Sequence, residues 1–559
     1  MTVSGSAHGH ALSYPTQVGE LVAGMIIIWA FAVVSLSAGL LWLGVPLTGW
    51  VFWIGLAVAF AAGRQLAATA GLWRPAVGVL MTATLVGGGV LEWLYDLSGD
   101  GQQYHLPAIL ALADGWNPFH QPGLGAWRPE FASGVTTGIY IEHYAKGAWL
   151  LAAATYRATG LLEAAKVWNL LYPIAVALAA RAALGRLGLA PAWSWALAVA
   201  AAANPVVLYQ LTSFYVDGQL ASLFSLLLLF SACYLWQGGR SALLLAAMSL
   251  ALLINIKFTG LVYGVALSAG LCLVAWVARL RRVRVYALAC AAAGLFALLV
   301  VGWQPYVTNT VYNGHPFYPA VGREDGKNVQ WRAAPSAFLA QNRAEKLIRS
   351  LYARSSGSRA LPQWKIPFSV DRNELFVFFT TDARYGGFGP WFGGVLTASL
   401  LLGLFARSRR STIIFFGVAG WIVLTSLINP EAWWARLSPQ IWLIAPLALL
   451  LAARSRVAWV RHAGAALTGA LLLNALLVAG LHGSRALEKN RIFRSQLAQL
   501  KTLPTPALQL PLEFRLVTTD RLDRLAIRYR LSARLACAQP RAFSFPEAAG
   551  MKMCVAAEP

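Results

Sequence analysis

The residues able to do chemistry are few in this chain, and they stand where apolar runs end. One such run gives way to Asp96-Leu97-Ser98-Gly99-Asp100-Gly101-Gln102-Gln103-Tyr104-His105. Tyr104 and His105 follow Asp100 by about one helical turn, which gathers a carboxylate, a phenol and an imidazole on one side of a helix. Asp217 stands in Thr212-Ser213-Phe214-Tyr215-Val216-Asp217-Gly218, immediately before another apolar run. Lys257 breaks Asn255-Ile256-Lys257-Phe258-Thr259-Gly260, and Arg436 closes Pro430-Glu431-Ala432-Trp433-Trp434-Ala435-Arg436. Charges at a hydrocarbon boundary are costly unless they face a cavity or a partner, so each is a candidate site residue. Each also has a plainer reading. Asp100 can cap a surface helix and Asp217 the following span, Lys257 can snorkel, and Arg436 with its two tryptophans can form an interfacial belt.

The elements that position these residues are set by composition. The 559 residues are 58% hydrophobic and only 12% charged, with a mean hydropathy of +0.58. That profile belongs to a polytopic membrane protein. Leu21 to Val45 contains no ionisable side chain and is long enough to cross a bilayer. It lacks a basic flank and a small-residue cleavage site, so it is expected to be retained as a span.

The pattern predicts an all-α membrane protein of about thirteen transmembrane helices. They fall near 21–45, 48–63, 74–94, 165–185, 191–211, 219–236, 241–256, 260–278, 285–304, 391–406, 411–428, 439–453 and 462–482. Residues 1–20 form a cytoplasmic segment. Residues 21–482 form the membrane module, with a first outer loop at 95–163 and a second at 305–390. Residues 483–559 form a small extracytoplasmic α/β region, helical over 485–500 and mixed over 513–531.

The net charge of +23 does not point to nucleic acid, because the arginines cluster at span ends: Arg279, Arg281, Arg282 and Arg284; Arg407, Arg409 and Arg410; Arg454, Arg456 and Arg461. Such clusters mark cytoplasmic loops, and the count above puts all three on the cytoplasmic side. It does so only if Tyr144 to Leu162, interrupted by Lys146 and Arg157, is an amphipathic helix on the outer surface. Glu142, His143 and Lys146 would then hold that helix at headgroup level. The Arg343 to Arg359 stretch is expected as a solvated, mobile loop and Asn313 to Pro319 as a rigid turn.

Of the five cysteines, Cys233, Cys272 and Cys290 lie within spans, where they act as small hydrophobes. Cys537 and Cys554 share the outer tail and are expected to pair. No His/Cys cluster has zinc spacing.

The first-loop aspartate followed four residues later by Tyr-His resembles a motif of the bacterial GT-C superfamily of polyprenyl-phosphate-dependent glycosyltransferases, which includes protein mannosyltransferases, aminoarabinose transferases and RgtA-like enzymes. The resemblance continues through His143-Tyr144-Ala145-Lys146-Gly147, Tyr215-Val216-Asp217, Lys257-Phe258-Thr259-Gly260, Asn313-Gly314-His315-Pro316-Phe317-Tyr318-Pro319 and the segment ending at Arg436. It spans about Asp96 to Ala453, and it rests on the order of short pieces. It implies transfer of a sugar from a polyprenyl-phosphate donor to an envelope glycan, lipid or protein hydroxyl, on the outer face of the inner (plasma) membrane.

In that scheme Asp100 is the general base, with Asp96 its alternate and a pKa raised by the membrane surface. Asp217 orients the acceptor or assists Asp100, while Lys257, His105 and Arg436 meet the lipid phosphate. Tyr104 and His143 complete the substrate contacts. The first motif lacks the Asp-Glu or Asp-x-Asp doublet of some members, so no metal ligand is assigned, although the superfamily admits a divalent cation.

Two other classes compete. A transporter or flippase of lipid-linked glycans would use Asp217 and Lys257 as pathway charges, but it should carry charge at mid-span, and here the polar groups collect on one face. A noncatalytic envelope-assembly subunit is the third reading.

Overall fold

The computed structural model describes residues 11–67, 69–121, 123–128, 138–322, 334–405, 409–503, 507–510, 512–531, 541–544 and 552–555. Cys537 lies outside them, and with it the expected pairing to Cys554.

Apolar runs become helices because, away from water, a helix satisfies its own backbone. In chain order they are α1 (Tyr14–Trp42), α2 (Trp50–Leu66), α3 (Ala70–Glu92), α4 (Leu106–Ala113), α5 (Gly147–Thr159), α6 (Val167–Arg186), α7 (Pro191–Ala202), α8 (Asp217–Gln237), α9 (Arg240–Ile256), α10 (Phe258–Val277) and α11 (Val283–Phe296). The second half adds α12 (Arg343–Leu351), α13 (Phe392–Leu404), α14 (Arg409–Leu427), α15 (Ile444–Ala453), α16 (Ala458–Lys501) and α17 (Leu512–Arg524). Seven of the described helices are long and apolar enough to cross a membrane, and six shorter apolar helices accompany them. The chain is a helical membrane protein.

Three expectations change. The 191–211 span stops as a helix at Ala202, because Pro205 disfavours helical backbone at Asn204; a short turn, Pro205–Leu208, follows it. The helix of the last span does not stop at 482. α16 runs unbroken for 44 residues to Lys501, since neither Pro nor a capping glycine interrupts it. The tail begins on that helix, with no break between them.

The third concerns residues 144–162. α5 is not amphipathic, yet it is none of the seven long or six shorter apolar helices, so its burial adds no span to the count. Its residues Gly147 to Thr155 are all buried, packed on α1, α2 and α4. Gly147 is needed there, because a Cβ would lie 2.7 Å from the Asn255 carbonyl oxygen. Lys146 does not reach headgroup level either: its ammonium is buried, donating to the Glu142 and Tyr144 carbonyls at 3.1 and 2.6 Å and lying over the Trp149 ring.

The tail contributes four short strands, β1 (Ala507–Gln509), β2 (Arg530–Leu531), β3 (Arg541–Ser544) and β4 (Lys552–Val555), in the order β2-β1-β4-β3. β1 and β2 are parallel and the other pairs antiparallel, with Leu508 opposite Leu531 and Val555. Leu508, Phe514, Leu522 and Ile527 pack on Phe493, Leu497 and Leu500 of α16 and on Leu97 of the first loop. The tail's core is thus shared with the loop that carries Asp96 and Asp100.

Candidate functional site

The site lies at the end of the helical bundle where α3 finishes, α8 begins and α9 turns into α10. Lys257 is the single extended residue between α9 and α10. The turn is this tight because Gly260 lacks a Cβ, which would meet the Leu253 carbonyl oxygen at 2.0 Å. The Lys257 ammonium reaches Asp217 Oδ1 at 2.6 Å. Gln210 holds the other oxygen at 3.1 Å, and its own carbonyl accepts from the Gly218 N–H at 2.9 Å. Asp217 therefore fixes Lys257, and it is Lys257, not Asp217, that lines the neighbouring cavity.

Asp96 is a structural node. Its carboxylate is buried and accepts from Ser98 N–H at 2.8 Å, Ser98 Oγ at 2.5 Å and Phe214 N–H at 2.7 Å. It ties the first loop to the 213–215 segment, which Asn169 of α6 also pins by donating to the Ser213 and Tyr215 carbonyls at 2.6 and 3.2 Å. Gly101 is required beside it, since a Cβ would sit 2.1 Å from Asp96 Oδ2. A carboxylate so fully engaged and buried is not free to serve as the alternate base.

Asp100 is presented differently. Its side chain keeps 28% of its exposure and accepts from Tyr104 OH and from Arg436 Nη1, each at 3.0 Å. The Tyr215 hydroxyl accepts from its backbone N–H at 3.4 Å. Burial works against the charged carboxylate, but the Arg436 guanidinium and the hydrogen bonds from Arg436 and Tyr104 outweigh it, holding Asp100 below the usual carboxylate range. The expected raised value is reversed.

A carboxylate that the sequence reading passed over does rise. Asp382 accepts from Trp434 Nε1 at 2.7 Å and lies 3.4 Å from Arg436 Nε. The Nε contact is an ion pair by distance without hydrogen-bond alignment. Burial and, less strongly, the nearby Asp100 push Asp382 up, and Arg436 only partly offsets them. The signal for Asp382 was its setting, Asp382-Ala383-Arg384-Tyr385-Gly386-Gly387, a glycine-rich turn just before an apolar run. That turn packs closely on the Arg436 segment: a Cβ at Gly387 would meet Ala435 Cβ at 2.7 Å.

Arg436 is therefore clamped between two carboxylates, with its guanidinium over the Trp434 and Tyr215 rings at 4.5 and 5.5 Å. It lines a cavity of about 250 Å³ together with Lys257, Arg359 and Arg384. The aromatic wall is formed by Tyr104, Tyr140, Tyr144, Phe258 and Trp434, with Tyr144 stacked between Tyr104 and Phe258 at 5.9 and 5.2 Å. Pro319 and Ala320, at the end of the 313–319 turn, close one side. A second, larger cavity of about 470 Å³ lies at the opposite helix ends beside the Glu20–Arg186 pair, and its other lining is mostly apolar.

Two expected contacts stand apart from the cavity. His105 is buried, its Nδ1 accepts from Trp149 Nε1 at 2.8 Å, and burial lowers its pKa to about 3. It is neutral and offers no charge to a phosphate. His143 Nδ1 lies 2.7 Å from Asn309 Oδ1, and its ring meets Tyr318 edge-on, which braces the first loop against the second.

A divalent cation does not suit this arrangement. Among the described residues no three His, Cys, Asp or Glu side chains converge, and the space between the site's two carboxylates, Asp100 and Asp382, is filled by the Arg436 guanidinium.

Comparison of the chain with protein families, curated proteins and solved structures returns no match.

Proposed function

We propose that the protein is a glycosyltransferase of the GT-C type, with thirteen spans and the amino terminus cytoplasmic. It would move a sugar from a polyprenyl-phosphate donor to an envelope hydroxyl on the outer face of the membrane. The observation that carries the reading is the Asp100–Arg436 pair at the edge of a cavity holding four cations and an aromatic wall. Cations aimed at a phosphate act strongly where water is partly excluded, and flat aromatic faces suit the apolar face of a sugar ring.

The acceptor oxygen attacks the anomeric carbon as that carbon's bond to the phosphate oxygen breaks. The bonding pair leaves with the phosphate, and the hydroxyl proton passes to Asp100. Arg436 and Lys257 face the growing phosphate charge, and Asp217 holds Lys257 in place. Asp100 is a weak base before the reaction because Arg436 stabilises its charge. As Arg436 turns its charge toward the leaving phosphate, that hold relaxes and Asp100 becomes more basic.

A flippase would need charge along a path through the bundle, whereas the ionised groups of this site collect at one end. Mass spectrometry of envelope glycans and lipid-linked sugars, with and without the protein, tests the proposal. A missing sugar with donor accumulated within reach of a membrane-impermeant periodate probe on the outer face supports it; a missing sugar with the donor protected on the cytoplasmic face would favour a flippase, and unchanged glycans would contradict both.

A further inference from the structure

The segment Leu361–Val370 has its amphipathic pattern inside out. Residues 363–365 run extended beside residues 352–354, with Arg354 N–H donating to the Gln363 carbonyl at 2.8 Å and Lys365 N–H to the Tyr352 carbonyl at 3.2 Å, and a turn follows in which Ser369 N–H donates to the Ile366 carbonyl at 3.1 Å. Within the extended part Trp364 turns outward and Lys365 inward, and the residues of the turn that follows, Ile366 to Val370, are all exposed. The inward face carries charge: the Lys365 side chain is only 8% exposed and pairs with Glu374 at 2.8 Å. The outward face carries Trp364, Ile366, Phe368 and Val370, with Trp364 58% and Ile366 78% exposed. A water-facing segment beside a core shows the reverse order, apolar in and polar out.

The depth of the segment says what covers it. The Phe368 ring lies on Gly394, in the first turn of α13, so closely that a Cβ there would meet the ring at 2.7 Å. Tyr352 OH lies 2.7 Å from Thr397 Oγ1, one turn further along. The outward row thus continues the apolar surface of α13, where Leu401 and Leu404 are also exposed. Phe368 is held at φ 66°, a left-handed conformation costly for an aromatic residue, and it still leaves much of its ring exposed. Tryptophan at such a level, with lysine and arginine close by, is the composition of a membrane interface.

We propose that Leu361–Val370 is a strap embedded in the bilayer surface on the cavity's side, with Trp364, Ile366, Phe368 and Val370 among the lipids. Arg359, two residues before the strap, lines the cavity, so lipid and cavity adjoin here. The strap rests on its own geometry, whatever reaction the cavity performs.

The test places a photoreactive diazirine analogue of leucine at position 366 of the full chain, in vesicles of phosphatidylethanolamine and phosphatidylglycerol. Position 499, an exposed residue on the far end of α16, is the solvent control. After illumination, mass spectrometry should find phospholipid adducts on the 366 peptide and not on the 499 peptide. Only water adducts at 366, or cross-links to peptides of this chain, would overturn the proposal. The same analogue at position 370 decides the matter if the first variant does not accumulate.

Discussion

At the scale of single residues, Arg436 stands between two carboxylates, Asp100 and Asp382, and holds both. Lysine at this position keeps the charge but loses the fork that reaches Asp100 and Asp382 together. Arg436→Lys should lower kcat/KM by about 10²–10³-fold in a transfer assay; a change of less than severalfold would remove Arg436 from the chemistry. The pH profile gives a second check. Asp382 is raised by burial and Asp100 is lowered through Arg436. On acidification Asp382, raised by burial, takes up its proton before Asp100, which Arg436 holds down, and Arg436 loses a counterion. Transfer should fall along that limb, and Asp382→Asn should abolish the limb; an unchanged profile in the variant would contradict the assignment. Asp100 and Tyr104 were legible in the sequence because contacts four residues apart follow from helical geometry, and the pair does meet at 3.0 Å. Asp382 was not, because its partners Trp434 and Arg436 lie over fifty positions away and no local spacing encodes such a contact.

At the scale of elements, the site depends on segments that hold one another. Arg521 of α17 is buried and donates to Glu163 at 2.8 Å, to the Asp96 carbonyl at 2.8 Å and to Gln102 at 3.0 Å. Lys166 pairs with the same Glu163 at 2.7 Å. The tail helix is thereby pinned to the loop that carries Asp100. Arg521→Ala leaves Glu163 with one cation and orphans a buried carbonyl and amide, which should cost about 3 kcal/mol. Thermal unfolding in detergent reads this directly, and an unshifted midpoint would show that the network contributes nothing. The apolar blocks revealed where helices start, since α8, α9 and α10 begin within one or two residues of the expected positions. Ends were harder to read. α16 passes through the expected boundary at 482 because no residue there stops a helix, and α5 was misjudged because Lys146 and Arg157 suggested a wet face that burial of its first nine residues excludes.

At the scale of the whole molecule, seven long apolar helices establish membrane character, and the six shorter ones fall where the remaining spans of the proposed topology are needed. That topology predicts that reporter fusions after Arg410 and after Arg485 give opposite compartment signals; matching signals would break the parity. What places the candidate site at one end of the bundle is the return of α3, α8, α9 and α10 to a common level, and the charged residues at their termini were readable for that reason. The most direct measurement is sugar transfer by Asp100→Asn in proteoliposomes at matched protein levels. The substitution preserves size and most hydrogen bonding but cannot accept the acceptor's proton, so turnover should fall by about 10²–10⁴-fold while donor binding persists. Near-normal turnover in that variant would contradict the account.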